Sequence, residues 1–359
     1  MGVVRQWRLP RWTEVRELHH GPRGRIVLAW PAPVPERRRD TALAGDGWGA
    51  GGALGGAGAE EVRPVVVRYV PARLLVHRAR ATAFRADVDR LAGLLLPEVA
   101  VPYKYVQAPA FRAAYERSSV AVGGALVSDA AEGAPLARLL ERREALSASA
   151  AAALFRGVLR ALVAVHDRRT AHGDLRAAKV MVRVDGGVTV TGLGLAALGT
   201  GAPEARAPEV WRGPGLATAA SDVYAAGCLL HLCLTGHQPF PTRNLFRLMA
   251  GHTTGPVPLD GIPAPLRELL AAGLTKDPER RPRAAFLLAE AERSAALDRE
   301  EQGRSELGAL AAPLVRRLPS SPPAASAFPR WPVGSGGRTR SPHRPRPRTP
   351  SARRHAPKF

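Results

Sequence analysis

The chain has 359 residues, 45% of them hydrophobic, and a formal net charge of +21. This length suits one two-lobed domain of about 250 to 280 residues followed by a tail. Because aromatic residues make up only 5% of the chain, we expect a core built from Ala, Val and Leu. The N-terminus has no apolar signal core, and Cys228 and Cys233 are poorly spaced for a metal or a disulfide. These observations favour a cytoplasmic protein with two buried thiols.

The positive charge is concentrated towards the C-terminal end. The last acidic residue is Glu306, and eleven Arg or Lys residues lie between Arg316 and Phe359. Residues 319–359 are mainly Pro, Ser and Arg with almost no aliphatic side chains, so we predict a disordered basic tail. Such a tail attracts nucleic acid or an anionic membrane surface. A solvated tail without a partner is the alternative.

The first predicted elements after an N-terminal extension, residues 1–11, are strands. Residues 12–30 predict two strands joined by a glycine turn. Residues 31–62 are Pro-rich and then Gly/Ala-rich without periodicity, which predicts a flexible insertion. Pro64–Tyr69 predicts a short buried strand, and Val101–Val127 predicts two or three strands with turns.

Three longer segments predict helices. Ala81–Leu96 has apolar residues at helical spacing, and Ser149–His166 is strongly amphipathic, with Ser147 or Ser149 as its cap. Val223–Phe240 is the longest uncharged run and is near the length of a membrane span. Because it contains His, Gln and Pro, we interpret it as a buried central helix, and we expect no transmembrane segment.

The segment from Ala171 to Gly194 combines a polar loop with a hairpin. Met181–Val184 and Val188–Thr191 predict the two strands, with a Gly-Gly turn between them, and Gly192 follows the second strand. The loop before the hairpin carries the charged and titratable side chains, which are His172, Asp174, Arg176 and Lys179.

This segment resembles the catalytic and metal-binding loops of eukaryotic-type protein kinases, with the pattern H-R-D-x-K-x-x-N, a hairpin and D-F-G. The resemblance implies that Asp174 is a candidate catalytic base and that Arg176 stands where the family has Lys. It also places Lys179 at the metal-binding Asn and Gly192 at the metal-binding Asp. Since Gly has no side-chain ligand and Lys is a cation, Mg²⁺ binding is not expected. Asp174 could alternatively serve only to hold the loop backbone.

The same resemblance extends to the phosphate side of the cleft. Gly21 and Gly24 match two glycines of the family's glycine-rich loop, which covers phosphates, although an ordinary hairpin would look alike. Arg68 stands at the Lys of the V-A-I-K strand, with an Arg facing solvent as the alternative. Asp87 takes the position of the helix Glu, so the resemblance implies a possible Arg68–Asp87 pair.

Further matches lie in the second half of the chain. Ala207-Pro208-Glu209 matches the A-P-E that closes the activation segment, and Arg281 matches the Arg that pairs with its Glu. Asp222 matches the residue that accepts hydrogen bonds from the catalytic-loop backbone. With His172, the residues Glu209, Asp222 and Arg281 have structural roles in the family. Thr200 is the only hydroxyl residue between Gly194 and Glu209, so phosphorylation of this segment has little to act on.

The resemblance implies an α+β, two-lobed fold, with a small β-rich N-lobe and a larger α-helical C-lobe. The domain would cover residues 12–297, divided into lobes at 12–130 and 131–297. Phe286–Leu297 predicts its last helix, and Glu301–Leu318 predicts an accessory helix within residues 298–318.

The functional hypothesis that follows is a pseudokinase, a signalling or scaffold module that binds ATP weakly or without Mg²⁺ and has an unidentified protein partner. A weakly active or atypical Ser/Thr kinase that uses Asp174 is the alternative. A nucleic-acid or membrane tether acting through residues 319–359 is the second alternative.

Overall fold

The computed structural model describes residues 7–21, 23–31, 63–109, 121–142, 145–199, 201–213, 217–294, 299–315 and 318. The chain divides into two units, Met1–Pro322 and Pro323–Phe359, and every described residue belongs to the first. Three features named above lie outside the described residues. They are the predicted insertion that follows Pro31, the residue Thr200, and the predicted basic tail.

The N-lobe is built on a five-stranded antiparallel sheet with the order β1-β2-β3-β5-β4. Its strands are β1 (Trp12–Gly21), β2 (Gly24–Pro31), β3 (Val65–Pro71), β4 (Pro102–Gln107) and β5 (Val122–Asp129). Val67 and Tyr69 of β3 pack into one apolar cluster. Because side chains alternate along a strand, Arg68 lies on the opposite face of the sheet.

A single helix, α1 (Arg78–Leu91), packs against that opposite face through Phe84 and Val88. The prediction that this helix extends to Leu96 is wrong. Ala92 caps the helix and Gly93 has a φ of 83°, a left-handed conformation that commonly terminates helices. The apolar residues after Gly93 therefore belong to a turn rather than to the helix face.

The C-lobe contains a small antiparallel sheet and most of the helices. Its strands, in the order β6-β7-β8, are β6 (Ala134–Pro135), β7 (Val180–Val182) and β8 (Val188–Val190). Its helices are α2 (Leu136–Leu140), α3 (Ala148–Asp167), α4 (Pro208–Arg212), α5 (Ala219–Thr235), α6 (Leu245–Thr253), α7 (Ala264–Gly273), α8 (Ala284–Arg293) and α9 (Glu300–Ala311). The two lobes form the α+β architecture predicted from the sequence.

Helices α3 and α5 form the centre of the C-lobe. The N-cap of α3 is Ser147, whose hydroxyl accepts a 3.1 Å hydrogen bond from the amide of Ala150. Helix α3 is long and apolar enough to cross a membrane, but most of it is buried inside the lobe, as a core helix is. Cys228 and Cys233 on α5 are buried free thiols.

Helix α9 packs against α3 and against the turn of the β7–β8 hairpin. Glu300 pairs with the buried Arg156 of α3 at 3.2 Å. The predicted end of this helix at Leu318 is wrong, because the helix ends at Ala311. Pro313 follows shortly after and has no amide hydrogen for a further helical hydrogen bond. The preceding helix, predicted as Phe286–Leu297, also ends earlier, at Arg293.

Candidate functional site

The loop that precedes β7 is anchored to the start of α5. Asp222 accepts hydrogen bonds from the backbone amides of His172, at 2.7 Å, and Gly173, at 2.9 Å. The ring of His172 is fully buried, and burial lowers its pKa. Its Nδ1 accepts from the amide of Asp174 at 3.1 Å, so its Nε2 carries the proton and donates to the carbonyl of Thr191 at 3.1 Å. These contacts fix the orientation of Asp174.

The carboxylate of Asp174 is almost completely buried and has donors on both oxygens. Oδ2 pairs with Nη1 of Arg23 at 3.0 Å. Oδ1 accepts from Nε of Arg176 at 3.2 Å and from the amide of Ala202 at 3.3 Å. Thus the candidate base is occupied by two guanidinium groups and a backbone amide of its own chain.

Lys179 and Gly192 lie together at the two ends of the hairpin. A β carbon built on Gly192 would lie 3.2 Å from Cδ and 3.3 Å from Nζ of Lys179. Burial, followed by the charge of nearby Arg68, lowers the pKa of Lys179 to about 8. The space next to residue 192 therefore contains an ammonium group, which does not fit a Mg²⁺ ion, because Mg²⁺ requires oxygen ligands.

Arg68 lies in the cleft between the lobes and is 8% exposed. Burial lowers its pKa to about 10, opposed by the charge of Asp174. Within the described part of the chain, the charged groups of Arg68 and Lys179 make no hydrogen bond or ion pair. Two cations therefore face the cleft with Asp174 as the nearby acid.

The suggested Arg68–Asp87 pair is not formed. Asp87 pairs instead with Nη1 of Arg90, one helical turn further along α1, at 2.6 Å. Burial raises the pKa of Asp87, and the acid that interacts with Arg68 is Asp174. The short Asp side chain is satisfied locally, at the i,i+3 spacing that places two side chains on the same helix face.

Gly21 and Gly24 flank the turn of the β1–β2 hairpin. Gly24 has a φ of 104°, and a β carbon there would overlap the backbone carbonyl of Tyr69 on β3. This glycine is thus required for packing β2 onto β3, whether or not the hairpin covers phosphate. Burial, followed by the charges of nearby Lys179 and Arg68, lowers the pKa of His19.

The structural anchors of the C-lobe are also in place. Arg281 donates to both carboxylate oxygens of Glu209, at 2.7 and 3.1 Å. The same guanidinium donates to the carbonyls of Ala220, at 2.6 Å, and Thr275, at 2.9 Å. The residues that close the activation segment are thereby fixed to the body of the lobe.

Two residues of this site, Arg23 and Gly173, were not predicted from the sequence. Arg23 stands between the two turn glycines, and its position at the hairpin tip was the available signal. Gly173 has a φ of 72°, and a β carbon there would lie 2.9 Å from the β carbon of Ala217. Only glycine therefore suits the residue between His172 and Asp174.

The electrostatic character of the cleft follows from these placements. The carboxylate of Asp174 is surrounded by four cationic side chains, which are those of Arg23, Arg68, Arg176 and Lys179. Among the described residues no group of three or more His, Cys, Asp or Glu side chains could hold a metal ion. The cleft is thus suited to an anion rather than to a divalent cation.

The two lobes, the anchored loop at Asp174 and the Arg281–Glu209 pair define a kinase-like protein. The family described as Protein kinase domain matches residues 110–291, which are 182 of the 359 residues. The chain therefore belongs to the protein kinase family.

Curated relatives include mycobacterial serine/threonine-protein kinases. PknH of Mycobacterium tuberculosis is 30% identical over 223 residues, which cover 56% of this chain and 36% of PknH. PknL of Mycobacterium bovis is 28% identical over 234 residues, covering 60% of this chain and 55% of PknL. PknD of Mycobacterium tuberculosis is 30% identical over 167 residues, covering 42% of this chain and 25% of PknD. The matched regions thus span between a quarter and just over half of these relatives.

Proposed function

We propose that this protein is a pseudokinase whose cleft holds a nucleoside triphosphate, such as ATP, without Mg²⁺. In this proposal it acts in the cytoplasm as a signalling or scaffold module for a protein partner. The observation that carries the proposal is the ammonium of Lys179 next to Gly192, at the two positions where the family binds its metal. A cation at this point favours phosphate oxygens directly and repels a divalent ion.

The charges around the cleft support the same proposal. A triphosphate carries up to four negative charges, and the cleft presents four cations against one carboxylate. Guanidinium groups suit phosphate because their planar donors match pairs of oxygens. Metal-free binding therefore has a physical basis in the side chains that face the cleft.

The contacts of Asp174 argue against efficient phosphoryl transfer. A catalytic base must be within hydrogen-bond reach of the hydroxyl that it deprotonates. Here Arg23, Arg176 and the amide of Ala202 already occupy both carboxylate oxygens. Without fixed metal charges on the transferring phosphate, the barrier rises by several kcal/mol, which is several orders of magnitude in rate.

Thermal unfolding with ATP tests the proposal. The melting temperature should rise with ATP in EDTA, and excess Mg²⁺ should reduce the shift, because bound Mg²⁺ neutralises part of the triphosphate charge. AMP should give a smaller shift at the same concentration, since it presents one phosphate. A shift that requires Mg²⁺ would contradict the proposal.

A weakly active Ser/Thr kinase is the second candidate, supported by the retained Asp174 and by the names of the relatives. Its test is radiolabel transfer from γ-labelled ATP to the protein itself or to a general protein substrate. Transfer that is lost in Asp174→Asn would favour this candidate over the pseudokinase.

A tether acting through the basic tail is the third candidate, supported by the nine Arg and Lys residues within positions 319–359. Binding to duplex DNA or to anionic vesicles should then weaken steeply as salt is raised. Deletion of residues 319–359 should abolish that binding while leaving the thermal shift with ATP unchanged.

A further inference from the structure

Arg23 connects the N-lobe hairpin to two parts of the C-lobe. Its Nη1 lies 3.0 Å from Oδ2 of Asp174, and its Nη2 donates to the carbonyl of Gly199 at 3.4 Å. The hairpin tip is therefore joined both to the catalytic loop and to the segment that follows Gly194. The side chain of Arg23 is 34% exposed, so part of it is accessible to solvent.

The backbone after Gly199 is held to the same carboxylate. The amide of Ala202 donates to Oδ1 of Asp174 at 3.3 Å, and the amide of Gly201 donates to the carbonyl of Gly173 at 2.9 Å. A β carbon on Gly201 would overlap Asp174, so the backbone lies directly on the carboxylate. These contacts form one cluster, which we call the Asp174 latch. It consists of Arg23, Asp174 and the backbone of Gly199, Gly201 and Ala202.

A polyphosphate in the cleft would compete for Arg23. The other cations that face the cleft, Arg68 and Lys179, make no ion pair of their own in the described part of the chain. An anion that binds between Arg68 and Lys179 also approaches Arg23. The present partner of Arg23 is the carboxylate of Asp174, which Arg176 also neutralises. A guanidinium forms more charge-assisted hydrogen bonds with a polyphosphate than with a carboxylate that it shares with another arginine.

We propose that Arg23 is a nucleotide-responsive residue: a bound triphosphate takes Arg23 from Asp174 and Gly199. This removes the contact of the hairpin with the segment at Gly199 and loosens the adjacent backbone at Gly201 and Ala202. This inference rests on the proposed metal-free binding of nucleotide. It gives the pseudokinase an output, because occupancy of the cleft changes the exposure of the activation segment without any transfer of phosphate. The latch also explains why an arginine stands between the two turn glycines.

The first experiment is calorimetric titration of the full chain with ATP in EDTA. Arg23→Ala should bind about tenfold to hundredfold more weakly than the wild type, because a charged hydrogen-bonding partner of the phosphate is lost. Arg23→Lys should recover part of that loss. Arg16→Ala is the matched control, since Arg16 is an exposed residue of the same hairpin, and it should bind like the wild type.

A double-mutant cycle separates the latch from simple charge effects. Asp174→Asn frees Arg23 and should tighten ATP binding about tenfold in the wild-type background. In the Arg23→Ala background the same substitution should give about threefold or less, because only the repulsion between carboxylate and phosphate is removed. Equal gains in both backgrounds, or an Arg23→Ala variant that binds ATP like the wild type, would overturn the latch.

Hydrogen exchange distinguishes failure of the latch from failure of nucleotide binding. The amides of Gly201 and Ala202 should exchange faster when ATP is added to the wild type. They should already exchange faster in Arg23→Ala without any nucleotide. If the wild type binds ATP and these amides do not respond, the latch is wrong and metal-free binding stands. If the wild type does not bind ATP in EDTA, both proposals are wrong.

Discussion

The ammonium of Lys179 lies 3.3 Å from the point where residue 192 would carry a β carbon, and residue 192 is glycine. The two residues are complementary, because the long side chain fills the space that the missing side chain leaves. In the proposed pseudokinase these are the two positions at which the family holds its metal, and here they carry an ammonium group and no oxygen ligand.

Lys179→Met should stabilise the protein at neutral pH. The pKa of Lys179 is about 8 in the folded protein, whereas the unperturbed value, which applies to the unfolded chain, is 10.5. Folding therefore disfavours the charged form of this lysine. This difference corresponds to about 3 kcal/mol, and the variant should gain a sizeable part of it at pH 7. Urea unfolding measures the gain, with Arg16→Met on β1 as the control for loss of an exposed cation outside the cleft.

The gain from Lys179→Met should depend on pH in a defined direction. Below about pH 8 the lysine is protonated in both states, so the full penalty is present. Between about pH 8 and 10.5 the unfolded chain binds more protons than the folded one, so wild-type stability from this group rises with pH. The advantage of the variant should therefore shrink towards pH 10. An advantage that grows with pH would contradict the assignment.

Introducing oxygen ligands at both positions should make ATP binding depend on Mg²⁺. In Lys179→Asn with Gly192→Asp, the cation is removed and a carboxylate and an amide oxygen take its place, so ATP should raise the melting temperature more with Mg²⁺ than in EDTA. Gly192→Asp alone should not do so, because the new carboxylate would pair with the ammonium of Lys179. Mg²⁺ dependence in that single variant would show that Lys179 does not block the ion.

Loss of the Arg281–Glu209 pair should destabilise the C-lobe. The side chain of Arg281 is fully buried, so Arg281→Ala leaves Glu209 and three backbone carbonyls without their donor. Breaking a buried pair on one side costs about 3 kcal/mol or more. Arg138→Ala removes an exposed pair with Glu141 and should cost less than about 1 kcal/mol. Similar losses in the two variants would contradict this account.

The packing of α9 can be tested at one glycine. A β carbon on Gly308 would overlap the backbone carbonyl of Val184 in the hairpin turn, so Gly308→Ala should destabilise the protein despite the better helix propensity of alanine. Gly273→Ala on α7 is the matched control, because its nearest contact would be at 3.6 Å. The control should be neutral or slightly stabilising. Stabilisation by Gly308→Ala would show that α9 does not pack tightly against the hairpin.

Most of the fold could be predicted from the sequence because the segments that define it are local patterns. The apolar spacing of α3 and the run that became α5 needed no tertiary information. Helix ends were predicted less well. Gly93 marks the end of α1 and Pro313 the end of α9. Both residues lie inside stretches whose apolar spacing continues beyond the end of the helix.

The site was predicted in part, and the error lies in partner choice. Asp222, Arg281 and Glu209 could be assigned from their motif positions alone. Asp87 pairs with Arg90 and not with Arg68 because of the way α1 packs against the sheet. The spacing of residues in the sequence does not reveal this packing. The contact of Arg23 with Asp174 joins residues 151 positions apart in the sequence, and only the closed arrangement of the hairpin over the loop reveals it.

The most direct test of metal-free binding is a pair of calorimetric titrations of the wild-type chain with ATP, one in EDTA and one in excess Mg²⁺, at pH 7. We expect binding in EDTA with an affinity at least equal to that in Mg²⁺, and a weaker affinity in EDTA for Lys179→Met. Binding that appears only with Mg²⁺ would contradict the central claim that Lys179 and its neighbouring arginines replace the metal.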